Sequence, residues 1–413
     1  MQPTSSGLMA QVERAILAFE RDGDIGLQAA LAAAGPWASE VQANIESLRA
    51  AGLLHPPELP ASIGGWRIKR RLGTGGMGTV FLGVQDHPIA RQGAIKVIRA
   101  GMDTHEVLAR FAIERQALAL LDHPGVARIL DAGQTESGRP FLVMEYVPGQ
   151  PICQYCDERQ LDTHARLRLF ARVCDAVQHA HQKGLLHRDL KPSNILVTDR
   201  DGEPWPVVID FGVAKSVGAP LGRATLTLPG HLLGTPEYMS PEQAANRDDV
   251  DTRSDVYSLG VVAYELLTST LPIGSKELRF DDLDRVLREH HPPTPSTRIT
   301  TLGAEAATIA AQRSTSVLAL RKHLRGDLDW IVMKAIERDR NRRYGMPSEL
   351  AADVRRHLAH EPVTAGAPTA WYRLRKFCAR HRLQVAAAGM VLGSLVAGLA
   401  ASIVFWRDAQ AHA

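Results

Sequence analysis

LLHRDLKPSNILV, residues 185–197, decides how this chain is read. Arg188, Asp189, Lys191 and Asn194 fall within seven positions, between apolar runs that favour burial. A buried polar group without a partner costs several kcal/mol, so the crowding implies something to bind. Asp189 and Asn194 are five positions apart, too far to be helical neighbours and close enough to converge in a loop. A second carboxylate, Asp210, ends the apolar run of VVIDFG, residues 207–212. A divalent cation is the natural partner for such a group. Mg2+ takes hard oxygen ligands, a few from protein and the rest from phosphates and water. Asp210 and Asn194 supply such oxygens, while Lys96 and Lys191 supply positive charge for phosphate oxygens. Asp189 is left as the group that can orient a hydroxyl and take its proton.

The phosphate reading has support upstream. LGTGGMGTV, residues 72–80, sits between two strand-like stretches. A glycine-rich turn lets backbone N–H groups approach phosphate oxygens without side-chain clashes. Alone this signal is weak, since many hairpins carry glycines. A dinucleotide-binding turn would lead into a helix; the strand-like FLGVQ follows instead, so the loop reads as a hairpin cover. GAIK, residues 93–96, places Lys96 in an apolar strand. A lysine there is ordinarily a snorkelling surface residue, unless a carboxylate meets it. Glu114 is the candidate, on the helical stretch VLARFAIERQALALL beside Phe111 and Leu118.

Bulk properties are compatible with such a site. The 413 residues suffice for two or three domains, and 45% hydrophobic with 23% charged residues is ordinary for a folded enzyme. A net charge of +3 gives no reason to read nucleic-acid binding. Four cysteines are too few for a disulfide scaffold. Cys153 and Cys156 form a C-x-x-C with no second pair at metal spacing, so ordinary reduced thiols are expected over a zinc or redox site. The N-terminus lacks the basic start of a signal peptide. Residues 8–54 carry Leu8, Val12, Ile16 and Phe19 at helical spacing, with a break at GPW. The prolines of HPPELPAS then mark a linker. From Trp66 to Val147 the pattern is mostly strand-like; after Leu161 helical periodicity dominates, with short strands at ILV and VVI joined by the turn signal of residues 199–202. A strand-rich half before a helix-rich half suggests two lobes with a cleft between them.

From Leu383 to Trp406 no formal charge occurs, a run of about 24 residues that is long enough to cross a bilayer as a helix. A buried core helix is the alternative. Arg373, Arg375, Lys376, Arg380 and Arg382 precede the run, and the positive-inside bias puts everything before it in the cytoplasm. Gly389, Gly393, Ala397 and Ala401 recur four apart, a small-residue face that suits helix dimerisation or simply reflects an alanine-rich composition.

The ordered set GTGGMGTV, AIK, Glu114, HRDLKPSN, DFG and SPE resembles a eukaryotic-type (Hanks-type) protein kinase over roughly residues 64–360. LLGTPEYMSPEQ and LRGDLDWIVMKAIERDRNRRY look like bacterial membrane-anchored serine/threonine kinases in particular. The resemblance implies an α+β, bilobal protein-kinase fold, with a strand-rich N-lobe and a helical C-lobe, followed by a C-terminal transmembrane helix. The organisation expected is an N-terminal helical region and linker (1–60), kinase domain (64–360), basic juxtamembrane segment (361–382), transmembrane helix (383–406) and short tail (407–413).

The resemblance also implies roles. Gly73, Gly75, Gly76 and Gly78 would cover the ATP phosphates. Lys96 would hold the α- and β-phosphates and pair with Glu114. Leu72, Val80, Ala94 and Leu196 would sandwich the adenine, with Met144 behind it and Glu145 and Val147 offering backbone hydrogen bonds. Asp189 would be the catalytic base and Lys191 would contact the γ-phosphate. Asn194 and Asp210 would bind Mg2+, with Mn2+ as an alternative cation. Glu242 would pair with Arg343, and Asp255 would hold the catalytic loop from below. Lys191 and Thr235 follow the serine/threonine pattern. Arg188 implies control by phosphorylation of the activation loop, with Thr225 and Thr227 as acceptors or as plain loop threonines.

The resemblance is imperfect in places. Ser240-Pro241-Glu242 stands where Ala-Pro-Glu is usual, and Arg340 follows Asp339 where proline is frequent. The chain between Leu271 and Leu324, with HPPTPSTRITT, reads as a flexible insertion or an autophosphorylated docking segment. The expected activity is transfer of the γ-phosphoryl group to protein serine and threonine hydroxyls, from a single-pass protein of the inner membrane. A pseudokinase scaffold and a kinase for small-molecule hydroxyls are the alternatives.

Overall fold

A computed structural model of the chain describes residues 5–51, 59–75, 78–98, 120–211, 236–245, 250–274, 283–289, 291–366 and 369–411. Elements are numbered among these residues. Two helices, α1 (Ser5–Ala33) and α2 (Ala38–Ala50), are joined by a 3-10 turn at Gly35–Trp37, where Pro36 starts the turn and accounts for the break at GPW. They enclose a core of their own, in which Val12, Phe19, Leu27, Val41 and Ile45 are buried together. The Arg49 guanidinium lies 4.1 Å over the Phe19 ring.

The N-lobe is an antiparallel sheet of β1 (Ser62–Ile63), β2 (Trp66–Gly75), β3 (Gly78–Gln85), β4 (Arg91–Ile98), β5 (Ile129–Gln134) and β6 (Pro140–Glu145), in the order β1-β2-β3-β4-β6-β5. Residues paired directly across strands share a face. Phe81, Ile95 and Val143 align on one face and bury Trp66 and Phe141 with them. Val80, Lys96 and Leu142 align on the other, as do Leu82, Ala94 and Met144. That second face looks toward the helices: Ile98, Leu142 and Met144 belong to the same apolar cluster as the helical half.

The C-lobe begins with β7 (Gln150–Pro151), α3 (Ile152–Glu158) and α4 (Thr163–Gln182), which Asp162 caps by accepting Ala165 N–H at 2.7 Å. Next comes the hairpin β8 (Ile195–Arg200) and β9 (Glu203–Val208), turning through Asp201 and Gly202 at positive φ. The short α5 (Pro241–Ala244) leads to α6 (Thr252–Thr268), whose residues are buried almost all round, as expected of a central helix. Gly260 lets α6 approach its neighbour: a Cβ there would lie 2.7 Å from Ala335 and Ile336. The remaining helices are α7 (Leu283–Glu289), α8 (Pro295–Thr301), α9 (Glu305–Ala311), α10 (Val317–Leu324), α11 (Asp327–Ala335), α12 (Pro347–Leu358), α13 (Ala370–Arg380) and α14 (Arg382–Ala411). The result is bilobal, a strand-rich N-lobe over a helical C-lobe.

Some expectations need correction. The stretch HPPTPSTRITT is not a flexible insertion. Thr294 caps α8, Ser296 is buried against Asp329 with Oγ–Oδ2 at 2.7 Å, and Arg298 donates to the Leu271 and Pro272 carbonyls. Ile299, Ile309, Leu320 and Leu324 join the main core. The segment expected to be basic and juxtamembrane contains α13, which docks on the C-lobe through Tyr372 and Lys376. Taken over the described residues alone, no helix is long and apolar enough to cross a membrane. The expected span falls on α14, several of whose side chains lie outside the described residues.

Candidate active site

The stretch 185–197 forms the floor of the cleft, and its shape is fixed from below. Asp255, near the start of α6, is buried; Oδ2 accepts His187 N–H and Oδ1 accepts Arg188 N–H, both at 2.8 Å. His181 Nε2 reaches Asp255 Oδ2 at 2.7 Å. Burial alone would raise the Asp255 carboxyl, but these hydrogen bonds outweigh it and hold the group below its usual range. His187 is fully buried, with Nε2 at 3.0 Å from Ile209 O and Nδ1 accepting Asp189 N–H at 3.3 Å. That pattern requires the neutral ring protonated on Nε2, and burial pushes the His187 pKa down accordingly. The ring also packs on Phe211, with centroids 4.7 Å apart.

On this floor Asp189 is held from two sides. Asn194 Nδ2 donates to the Asp189 carbonyl at 2.8 Å and to Oδ2 at 3.2 Å. Lys191 Nζ lies 3.1 Å from Oδ2. Asn194 thus commits its nitrogen to Asp189, which leaves its Oδ1 as the atom suited to a cation. Arg188 and Asp210 both have positive φ, 62° and 59°. Non-glycine residues are held there only where surrounding structure over-determines them, commonly at functional sites. Gln243 Nε2 adds to that hold by donating to Arg188 O at 3.2 Å.

Asp210 follows β9, which reaches the floor through Ile209 N–H to Asn194 O at 2.9 Å. Lys96 descends from β4 and donates to both Asp210 oxygens at 2.6 Å, with only 7% of its surface exposed. The cleft's upper wall is the inward sheet face: Leu72, Val80 and Ala94 are half-buried, Met144 and Val147 are buried, and Glu145 is exposed. Leu196 is half-buried on the lower side. At the tip of the β2–β3 hairpin Gly75 pairs with Gly78. Gly78 has φ +151°, and a Cβ there would lie 2.0 Å from Val97 O, so only glycine fits. Gly73 lies in β2, opposite Val80.

The donor set fits a magnesium nucleotide. Among the described residues no group of three His, Cys, Asp or Glu is placed to hold a metal by itself. Mg2+ in nucleotide sites draws on one or two protein oxygens and completes its shell with phosphates and water. Asp210 with Asn194 meets that pattern, and Lys96 and Lys191 bring cations for the phosphates.

Below the site, Glu242 meets Arg343 in a buried fork, Oε1–Nη1 at 2.6 Å and Oε2–Nη2 at 2.9 Å. Ser254 Oγ donates to Glu242 Oε1 at 2.7 Å, and Arg343 also donates to the carbonyls of Glu337, Arg338 and Arg253. Cys153 and Cys156 lie on α3, where burial pushes both thiols up, Cys156 to about 11. Glu114, Gly76, Thr225, Thr227 and Thr235 lie outside the described residues.

Sequence reasoning did not single out His181, His187 or Gln243. Gln243 had a signal: Ser240-x-x-Gln243 is a capping-box pattern, and the box forms, with Ser240 N–H to Gln243 Oε1 at 3.1 Å. His187 had none beyond its place beside Arg188.

The family model for the protein kinase domain matches residues 66–352. A serine/threonine-protein kinase of Myxococcus xanthus, Pkn1, is 37% identical over 306 residues, which cover 67% of this chain and 43% of that protein. PknB of Mycobacterium tuberculosis is 33% identical over 299 residues, covering 71% of this chain and 43% of that protein. The chain thus spans less than half the length of these relatives. The crystal structure of the Mycobacterium tuberculosis PknI kinase domain superposes with a TM-score of 0.51 at 25% identity, covering 73% of this chain and all of that one.

Proposed function

The chain belongs to the protein kinase family, with a domain of the bacterial serine/threonine kind, and on that footing we propose that it transfers the γ-phosphoryl group of ATP to serine and threonine hydroxyls of proteins. The observation that carries this reading is the meeting of Lys96 and Asp210 at 2.6 Å, beside an Asp189 held by Asn194 and Lys191. A pseudokinase would need one of these groups missing.

Each role follows from position. Lys96 binds the α- and β-phosphates. Asn194 Oδ1 and the Asp210 carboxylate hold the cation, which offsets triphosphate charge when bound. Lys191 puts its ammonium near the outermost phosphate. Asp189 orients the incoming hydroxyl in line and accepts its proton as the new oxygen–phosphorus bond forms, while the bond from the γ-phosphorus to the bridging oxygen breaks and ADP leaves. The half-buried Leu72, Val80, Ala94 and Leu196 exclude water around the base. Positioning and charge stabilisation do most of the work in such a transfer. Arg188, directly before Asp189, supports control by phosphate on Thr225 or Thr227. Transfer of radiolabelled phosphate by the purified chain, followed by site mapping, tests the reading; no incorporation into itself or any protein acceptor counts against it.

The same reading includes a membrane anchor at α14, with the kinase domain on the cytoplasmic side. Its support is the uncharged run 383–406 within a 30-residue helix. Met390, Leu392, Leu395, Val396 and Leu399 are all at least 60% exposed. The face of Gly389, Gly393, Ala397 and Ala401 offers a contact for a second copy.

A further inference from the structure

Helix α13 is amphipathic with its polar side docked and its apolar side turned outward. Tyr372 OH donates to Asp327 Oδ1 at 2.9 Å and accepts Val363 N–H at 3.1 Å. Lys376, one turn further, pairs with Asp327 Oδ2, and His357 Nδ1 lies 2.9 Å from the same oxygen. Trp330 meets the Tyr372 ring edge-on at 5.5 Å. A helix advances about 100° per residue, so Trp371, Leu374 and Phe377 fall opposite Tyr372 and Lys376. They are 74%, 51% and 56% exposed.

Scattered exposed apolar residues are normal; three large ones on a single helix face need a cover. Two observations say which. Arg373, Arg375, Arg380 and Arg382 are interleaved with these residues or follow them in the sequence, and no acidic residue occurs between Glu361 and Asp408. The helix also runs almost directly into α14, which carries the uncharged run 383–406. Aromatic and aliphatic side chains flanked by arginine match the boundary between headgroups and acyl chains of an anionic leaflet.

We propose that α13 is an interfacial helix that lays Trp371, Leu374 and Phe377 into an anionic bilayer surface, while Asp327 holds its opposite side and so fixes the C-lobe against the membrane. The proposal rests on the membrane reading of α14, and the test separates the two. The full chain is reconstituted into phosphatidylcholine vesicles carrying brominated acyl chains, with or without roughly a third phosphatidylglycerol. The quenching lost on Trp371→Phe reports α13, and that lost on Trp406→Phe reports α14. Quenching of Trp371, at least about twofold stronger with the anionic lipid, is expected. Quenching of Trp406 without Trp371 overturns the interfacial helix and leaves the anchor standing; quenching of neither overturns both. Trp371 shielded from iodide but not reached by brominated chains, with shielding that grows with protein-to-lipid ratio, assigns the face to a second copy and also overturns the proposal.

Discussion

Asp255 accepts the backbone N–H of Arg188 at 2.8 Å, so a carboxylate on the C-lobe's central helix sets the backbone immediately before Asp189. Its other oxygen takes His187 N–H and His181 Nε2. Asp255→Ala removes all three hydrogen bonds and leaves buried donors unpaired, at about 1–3 kcal/mol each. The expected result is a kcat lowered at least about tenfold with a smaller change in KM for ATP, since the lesion displaces the base and not the nucleotide. Steady-state kinetics at saturating ATP check it; an unchanged kcat argues against this role.

Glu242 and Arg343 are 101 residues apart and fully desolvated where they meet. Removing one partner of such a pair leaves a buried charge uncompensated. Glu242→Ala is expected to destabilise the C-lobe by about 3–5 kcal/mol, read from urea unfolding of the full chain. A loss below about 1 kcal/mol would mean that the three carbonyls around Arg343 suffice to hold it.

His187 gives the fold a pH dependence of defined sign. Burial lowers its pKa from 6.5, and burial does the same for His164 and His123. Below 6.5 the unfolded chain takes protons that the folded chain refuses, so stability is full above that value and falls as pH drops toward the lowered folded pKa. The melting temperature should therefore fall between about pH 7 and pH 5, with a shallower fall in His187→Asn. A flat profile contradicts the neutral ring assigned here.

Asp327 is the clamp on α13. Burial raises its carboxyl, but the hydrogen bonds from His357 and Lys376 outweigh that and hold it at about 2. A depressed carboxyl stabilises above its unfolded value of 3.8 and loses that contribution as pH falls toward 2. Asp327→Asn should free α13 at neutral pH without lowering the phosphotransfer rate in detergent. Hydrogen exchange at residues 370–380 should quicken at least about tenfold; unaltered protection there means that Trp330 and other packing hold the helix alone.

The cleft was legible in the sequence because its parts are short and local. Asp189, Lys191 and Asn194 share one loop, and Lys96 and Asp210 each sit at an apolar strand that register aligns with the cleft. The strands and both N-terminal helices carried clear periodicity. What the sequence hid are contacts between distant segments. Nothing local to Asp327 announces Tyr372 and Lys376, so the sequence showed a basic juxtamembrane segment and not its docking on the C-lobe. Nothing local to Ser296 announces Asp329, so a proline- and threonine-rich stretch read as flexible when its prolines and Thr294 start a packed helix.

The most direct test of the account is a paired measurement on Asp189→Asn. Titration with magnesium ATP should give an affinity within about threefold of the unaltered chain, since Lys96, Asn194 and Asp210 remain, while phosphotransfer to protein falls at least about a thousandfold. Transfer retained at a comparable rate, or binding lost along with it, would contradict the assignment of Asp189 as the base beside a bound nucleotide.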